Sequence, residues 1–175
     1  LQDSIVGDFS VELSQLDRVH NLKTASLFKW CLRAPFIALE KYEPELHTTL
    51  EEMGTLLGQL FQRSDDLLDY DIRNYEGKAI LGDLKSGYLN SFAAFATNNL
   101  SADKKSELRK VENLDQFIQI IGGKDQFDQF VKSFDEQNVF LIQLYDHHLK
   151  NLKKYLVESQ WPLLDKLQPL TEILY

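Results

Sequence analysis

Asp65, Asp66 and Asp69 fall within the nine residues 61–69, a stretch with helical spacing. Residues three, four and seven positions apart share a helix face, so these carboxylates and Gln62 form one polar strip. Clustered carboxylate oxygens with no neighbouring His or Cys suit a hard cation, and Mg²⁺ held by few carboxylates completes its shell with water and substrate phosphates. The strip therefore predicts a magnesium site for a phosphorylated ligand. The alternative is a solvated acidic helix end.

Basic residues lie on both sides of this acidic strip in the sequence. Lys23, followed by the hydroxyl of Thr24, interrupts the apolar face of an upstream helical pattern, and Lys78 lies in the glycine-containing segment 71–88. A metal-bridged phosphate needs carboxylates for the metal and cations for the anion. We therefore expect segment 71–88 to fold back over the acidic strip. The alternatives are an ordinary surface lysine at position 23 and a helix C-cap at Gly77-Lys78.

Helical periodicity runs through the whole chain and must position these side chains. Apolar residues recur three or four apart over residues 5–38, in a helix expected to end near Pro35 and to be irregular at Thr24, and again over 45–71. Further helices are predicted for 89–100, for the segment capped by Ser101, for 127–155, and from Pro162 onwards, with a break at residues 122–123. No sustained alternation, repeat or linker is visible. The pattern predicts one all-α domain over residues 1–175.

Composition excludes several classes of protein. The 175 residues are 43% hydrophobic, with a net charge of −8 and a pI near 5.0. An acidic chain of this kind does not favour nucleic-acid binding, and no apolar run approaches the length of a membrane span. Cys31 is the only cysteine, so an intramolecular disulfide is excluded and a reducing compartment is expected. The sequence predicts a cytoplasmic protein without stable membrane insertion.

Four segments together resemble one enzyme family. They are Lys23-Thr24-Ala25, Phe61-Gln62-x-x-Asp65-Asp66-x-x-Asp69, Gly77-Lys78 and Asp83-Leu84-x-x-Gly87. In order and spacing they resemble the second half of the trans-isoprenyl diphosphate synthases, also called polyprenyl synthetases. The resemblance covers residues 5 to 90 by motif and the remainder by helical pattern. It implies an all-α antiparallel helical bundle of the isoprenoid synthase type, of which this chain would be the second half.

The resemblance also implies an activity. Members of the family join isopentenyl diphosphate to an allylic prenyl diphosphate with Mg²⁺, by ionisation, condensation and elimination, usually as homodimers. Asp65, Asp66 and Asp69 would be the second aspartate-rich motif, with Asp65 as the direct metal ligand. The remaining roles implied are diphosphate binding by Lys23 and Lys78, and stabilisation of the allylic cation by Thr24 and Gln62.

Two departures from the family pattern bear on this expectation. Tyr88 stands where the family has a further lysine, and the first aspartate-rich motif, with its neighbouring arginines, does not occur in the 175 residues. Tyrosine donates one hydrogen bond and brings no positive charge. We therefore expect these residues to be a C-terminal half that is inactive alone, and a non-catalytic helical subunit of a heteromeric prenyl synthase is the alternative function. Two further alternatives fit less well: a bundle redox site, because Glu-x-x-His pairs are absent, and a terpene cyclase, because its second metal motif differs.

Overall fold

Helices account for most of the protein. The computed structural model describes residues 7–70 and 79–175. In chain order the α-helices are α1 (Leu13–His20), α2 (Ser26–Ala38), α3 (Pro44–Leu68), α4 (Gly82–Lys85), α5 (Ser91–Thr97), α6 (Ala102–Glu107), α7 (Leu114–Ile120), α8 (Lys124–Asn151), α9 (Pro162–Leu167) and α10 (Leu170–Leu174). A π-helical turn over Asn21–Ala25 joins α1 to α2, and short 3₁₀ segments follow α6 and α8. Neither described range contains a β-strand, so the predicted all-α class is confirmed.

The first helical region begins later than predicted and passes the stop expected at Pro35, ending at residue 38, the predicted limit of the pattern. Residues 7–12 are not helical, so the first helix begins at Leu13. Its continuation α2 does not end near Pro35 but runs to Ala38. Proline costs a helix one backbone hydrogen bond and some distortion, which here does not stop the helix. The chain leaves the helix when Glu40 adopts a left-handed conformation, with φ of 57°.

Most other boundaries follow the sequence signals. The side-chain oxygen of Ser101 accepts from the Lys104 N–H, as expected of an N-cap, and Pro162 begins α9. Gly122 and Gly123, with φ of 114° and 95°, separate α7 from α8, because that region of backbone space favours glycine. The predicted helix 45–71 is α3, and residues 71–78 lie outside the described part of the chain.

The chain divides into two compact units. The first comprises residues 1–19 and 63–137, and its core is aromatic. Phe92 is fully buried, with its ring centroid 4.8 Å from Tyr70, 5.7 Å from Phe127 and 5.6 Å from Phe134. Edge-to-face pairs at such distances add to the stability that comes from burying the rings. This core lies beneath the end of α3 that carries the three aspartates.

The second unit comprises residues 20–62 and 138–175. Its core is mainly aliphatic and is drawn from α2, α3, α8 and α9, together with the 3₁₀ segment after α8. The buried members are Leu32, Phe36, Leu46, Leu50, Met53, Leu56, Leu57, Tyr145, Leu149, Leu152, Leu156 and Leu164. The apolar face that the sequence predicts for the helix over residues 45–71 is confirmed, since Leu46, Leu50, Met53 and Leu57 of α3 are each fully buried.

Within residues 7–70 and 79–175, no helix combines the length and the apolarity needed to cross a membrane.

Candidate functional site

The three aspartates of the polar strip differ in exposure. Asp65 is partly exposed, whereas Asp66 is 7% and Asp69 only 1% exposed. α3 ends at Leu68, and the Tyr70 N–H donates to the Leu67 carbonyl at 3.1 Å. The strip therefore faces inward at its C-terminal end, which argues against a solvated acidic helix end. There the negative end of the helix dipole disfavours carboxylates, so the two buried ones require hydrogen-bond donors.

Asp69 receives its donors from the chain that follows residues 71–78. The Asp83 N–H donates to Asp69 Oδ2 at 2.8 Å, and the Leu81 N–H donates to the Asp69 carbonyl oxygen at 2.7 Å. Leu81 is fully buried and has a φ of 58°, in the left-handed region. This turn brings residues 81–83 onto the acidic end of α3. The expected return of segment 71–88 is confirmed for its described part.

Asp66 is held by the start of α5. The Ser91 N–H donates to Asp66 Oδ2 at 2.7 Å, and Asn90 Nδ2 donates to the Asp66 carbonyl oxygen at 3.2 Å. Asn90 Nδ2 also lies 3.3 Å from Asp83 Oδ2. On its other side, Asn90 Oδ1 accepts from the Tyr70 hydroxyl at 3.2 Å and, as the N-cap of α5, from the Ala93 N–H at 3.1 Å. One asparagine thus connects the ends of three elements.

This arrangement raises the pKa of two groups. Burial raises the pKa of Asp66 to about 7, hydrogen bonding from Ser91 opposes the increase, and the charges of Asp83 and Asp65 add to it. Burial also raises the pKa of Tyr70, with further contributions from the neighbouring aspartates. Close carboxylates that raise one another's pKa form a site whose charge a bound cation would offset.

Arg63 is the cation nearest in sequence to this cluster, and it has a structural partner. Its guanidinium donates from Nη2 to Asp17 Oδ2 at 2.8 Å and lies 5.4 Å from the centroid of the Phe134 ring. Only 6% of the Arg63 side chain is exposed. This ion pair, which is buried on the Arg63 side, links α1 to α3, and removing Asp17 would take one partner from a buried guanidinium.

The acidic cluster offers one accessible carboxylate, that of Asp65, for a magnesium ion. Among the residues that the structure describes, no group of three or more His, Cys, Asp or Glu side chains has metal-binding geometry. Asp66 and Asp69 each have a carboxylate oxygen engaged by a backbone N–H, which leaves Asp65 as the accessible member of the motif. Mg²⁺ commonly binds through one or two carboxylates, with substrate phosphates and water completing its shell. The three-aspartate metal site stays a prediction.

Three of the other expected site residues, Lys23, Thr24 and Gln62, lie in the second unit. Lys23 is exposed and Thr24 half-buried, both within the π-turn Asn21–Ala25. Gln62 is half-buried on α3. Lys78, expected to bind diphosphate, lies outside the described residues. Their assigned roles therefore stay predictions.

Sequence reasoning left part of the acidic cluster without a role. Asp83 belongs to the family motif, but the motif assigns it no role. In the structure its backbone N–H and its carboxylate both belong to the acidic cluster. Asn90 and Ser91 were not singled out at all. The signal was available, because an asparagine followed by Ser91 and a helical apolar pattern is a typical N-cap. The partnership of Arg63 with Asp17 spans 46 positions and has no local sequence signal.

Comparison with known families shows where the chain belongs. Residues 2–120 match the family described as polyprenyl synthetase. The chain belongs to the polyprenyl synthetase family. A solved structure with a similar fold is a decaprenyl diphosphate synthase from Rhodobacter capsulatus, which is 20% identical in sequence and superimposes with a TM-score of 0.71. No curated protein matches the sequence significantly.

This polyprenyl synthetase chain corresponds to part of the solved synthase. The superposition covers 99% of this chain and 54% of the synthase, so the 175 residues span about half the length of that relative. The match and the common fold confirm the predicted resemblance to the trans-isoprenyl diphosphate synthases and the helical class of the fold.

Proposed function

We propose that the protein is a prenyltransferase that condenses isopentenyl diphosphate with an allylic prenyl diphosphate. The supporting observation is the acidic cluster, in which backbone N–H groups engage Asp66 and Asp69 while Asp65 stays partly exposed beside them. Membership of the polyprenyl synthetase family supports the same reaction class.

The proposed mechanism divides the work between carboxylate and cationic side chains. Asp65 would hold Mg²⁺ together with diphosphate oxygens and water, and Asp66 and Asp69 would contribute negative charge behind it. Mg²⁺ supplies charge neutralisation for the departing diphosphate. Lys23 and Lys78 bind the allylic diphosphate as point charges.

Two polar side chains are proposed to act on the organic part of the substrate. Thr24 and Gln62 direct their dipoles towards the positive charge that develops on the allylic carbon as the diphosphate leaves. The surrounding apolar helices exclude water, which would otherwise trap that carbon as an alcohol. The new carbon–carbon bond then forms to isopentenyl diphosphate, and loss of a proton, with the released diphosphate as acceptor, restores a double bond.

The setting and partners of the enzyme follow from the same proposal. We propose a cytoplasmic homodimer that binds two phosphorylated isoprenoid substrates and no nucleic acid. Light scattering coupled to gel filtration tests the dimer, and a mass equal to one chain at all concentrations would contradict it.

Removing the Asp65 carboxylate tests the function directly. The protein at its natural length is incubated with labelled isopentenyl diphosphate and allylic primers of increasing length, with Mg²⁺ or with chelator. We expect a labelled prenyl diphosphate that is absent with chelator and falls at least about 100-fold in D65A, because the variant loses transition-state stabilisation by the metal. D65A should fold normally, since Asp65 is only partly buried.

D128A is the matched control, because Asp128 is exposed and pairs with Lys124 on the surface of α8. Its activity should equal that of the wild type. No product with any primer, or full activity in D65A, would contradict the transferase. If a complex with a second prenyl synthase chain is active and D65A leaves that activity unchanged, the non-catalytic subunit is the correct function.

A further inference from the structure

The π-turn Asn21–Ala25 is fixed by polar bonds at its two ends. A π-turn replaces i→i+4 backbone bonds with wider ones, and such turns occur frequently at functional sites. At the end of the turn, the Ser26 hydroxyl donates to the carbonyl oxygen of Leu22, near its start, at 3.0 Å. At the start, Lys29 Nζ donates to Asn21 Oδ1 at 2.6 Å. The turn is therefore an ordered element.

The backbone of α3 approaches this turn more closely than a side chain would allow. A Cβ atom added to Gly58 would lie 2.6 Å from both Cα and Cβ of Ala25. One helical turn away, a Cβ atom on Gly54 would lie 2.6 Å from the backbone N and Cα of Lys29. Ala25 and both glycines are buried. The obstructing atoms are mostly backbone, so they cannot move aside without shifting the helix.

The two contacts fix the register of the segments. Gly54 faces Lys29 and Gly58 faces Ala25, so the segments run antiparallel with matching steps of four residues. One further step along α3 reaches Gln62, and the same step back from Ala25 reaches Asn21, the first residue of the π-turn. The residues expected to act on the allylic cation thus belong to adjoining turns of one helix pair.

Helix propensity alone does not explain the two glycines. Alanine stabilises a helix interior more than glycine does, and both positions lie inside the 25-residue helix α3. Alanine at these two positions would not increase helix stability, because the adjoining segment occupies the space that its methyl group would fill. Their presence is accounted for by the close approach of the π-turn.

We propose that Gly54 and Gly58, together with the Asn21–Lys29 hydrogen bond, are positioning residues that hold Lys23 and Thr24 in register with Gln62. The effect on the reaction rests on the proposed function, whereas the effect on the turn does not. An alanine at position 58 must push the π-turn away by about 1 Å to reach ordinary van der Waals separation, and a displacement of that size can cost on the order of 100-fold in rate.

G58A and G54A test this proposal, with Q59A as the matched control on the next position of α3. Amide exchange at residues 21–25 is followed by NMR, and steady-state kinetics are measured on the protein at its natural length. We expect G58A to speed that exchange and to lower kcat by roughly 10- to 100-fold, with KM for both substrates changed less than about threefold. Q59A should match the wild type in both measurements.

A rescue variant and a milder variant separate positioning from packing. The pair A25G/G58A removes the Cβ–Cβ overlap and should recover part of both losses. N21A removes the polar anchor without adding volume and should change exchange and kcat in the same direction by a smaller factor, so it decides the question if G58A does not fold.

Each outcome of the experiment has one meaning. Exchange and kcat equal to Q59A in the folded variants would overturn the proposal, as would faster exchange with unchanged kcat, which indicates packing alone. If the wild type makes no prenyl product, the proposed function fails, and the exchange rates alone decide whether the glycines and Asn21 hold the turn.

Discussion

Asp66 is the residue of the acidic cluster whose burial disfavours its charged form. Its carboxyl group lies almost fully buried between Ser91 and two further aspartates, and its pKa is raised from 3.8 to about 7. The protein retains this group where a neutral side chain would be more stable. That cost is expected of a functional site, where stability is given up for charge.

The raised pKa predicts how stability depends on pH in the metal-free protein. The folded state binds the Asp66 proton more tightly than the unfolded state, so the contribution is fully present below about pH 4 and is lost as pH rises through about 7. D66N keeps an oxygen acceptor for the Ser91 N–H and does not titrate. Measured by urea unfolding with EDTA, the wild type should lose on the order of 2–4 kcal/mol between pH 4 and pH 8 relative to D66N.

D128N controls for the loss of one negative charge at an exposed position. Its pH profile should follow that of the wild type. Parallel profiles for the wild type and D66N would show that the Asp66 pKa is not raised.

The N-cap residue of α5, Asn90, forms hydrogen bonds to several elements at once. α5 is only seven residues long, yet its N-cap Asn90 also binds the end of α3 and the segment containing Asp83. Asn113 performs the simpler role at α7, where its side chain accepts from the Gln116 N–H at 3.0 Å on the surface. Asn113 therefore only caps a helix, whereas Asn90 caps a helix and also connects it to two other elements.

We predict that N90A destabilises the protein more than N113A does. N113A should cost about 1 kcal/mol, as expected of a lost cap. N90A also leaves the buried Tyr70 hydroxyl and the Asp66 carbonyl without this partner, and should cost about 2–4 kcal/mol. Chemical denaturation of both variants measures the difference, and equal losses would show that Asn90 acts as a cap alone.

The helices were largely predictable from the sequence, whereas some of their irregularities were not. Apolar spacing located α3 and α8, because each buries one continuous face. The same spacing extended to residue 38, whereas Pro35 alone predicted an earlier stop; the one missing hydrogen bond is outweighed by packing that involves Phe36, which is 3% exposed. The sequence marked Thr24 as irregular, but the close approach of Ala25 to Gly58, 33 positions away, has no local sequence signal.

At the scale of the whole molecule, the acidic charge opposes the ligand that the site is expected to bind. The net charge is −8, and a free diphosphate would be repelled unless a cation bridged it to the carboxylates. The motif spacing was sufficient to predict the family, and the metal site of the three aspartates stays a prediction. That spacing did not predict which aspartates are buried, because their exposure depends on the returning residues 81–83 and 90–91.

We therefore predict that Mg²⁺ and inorganic diphosphate stabilise the protein only together. At about 100 times the dissociation constant, the pair should raise the melting temperature by about 5–10 °C. Differential scanning fluorimetry with Mg²⁺ alone, diphosphate alone and both measures the effect. D65A should abolish the joint shift, and an equal shift with diphosphate alone would contradict a metal bridge.

Leu81 combines two requirements that no single amino acid meets fully. Its backbone is left-handed, which glycine adopts without strain, while its side chain is completely buried. Glycine would relieve the backbone but leave a cavity, and any other large residue would keep both the filling and the strain. For protein engineering, substitution at this position is therefore expected to lower stability, whether it favours the left-handed backbone or the filling of the core. A consensus or design procedure that scores backbone preference or core volume separately would replace Leu81, and would loosen the turn that supports the Asp69 carboxylate.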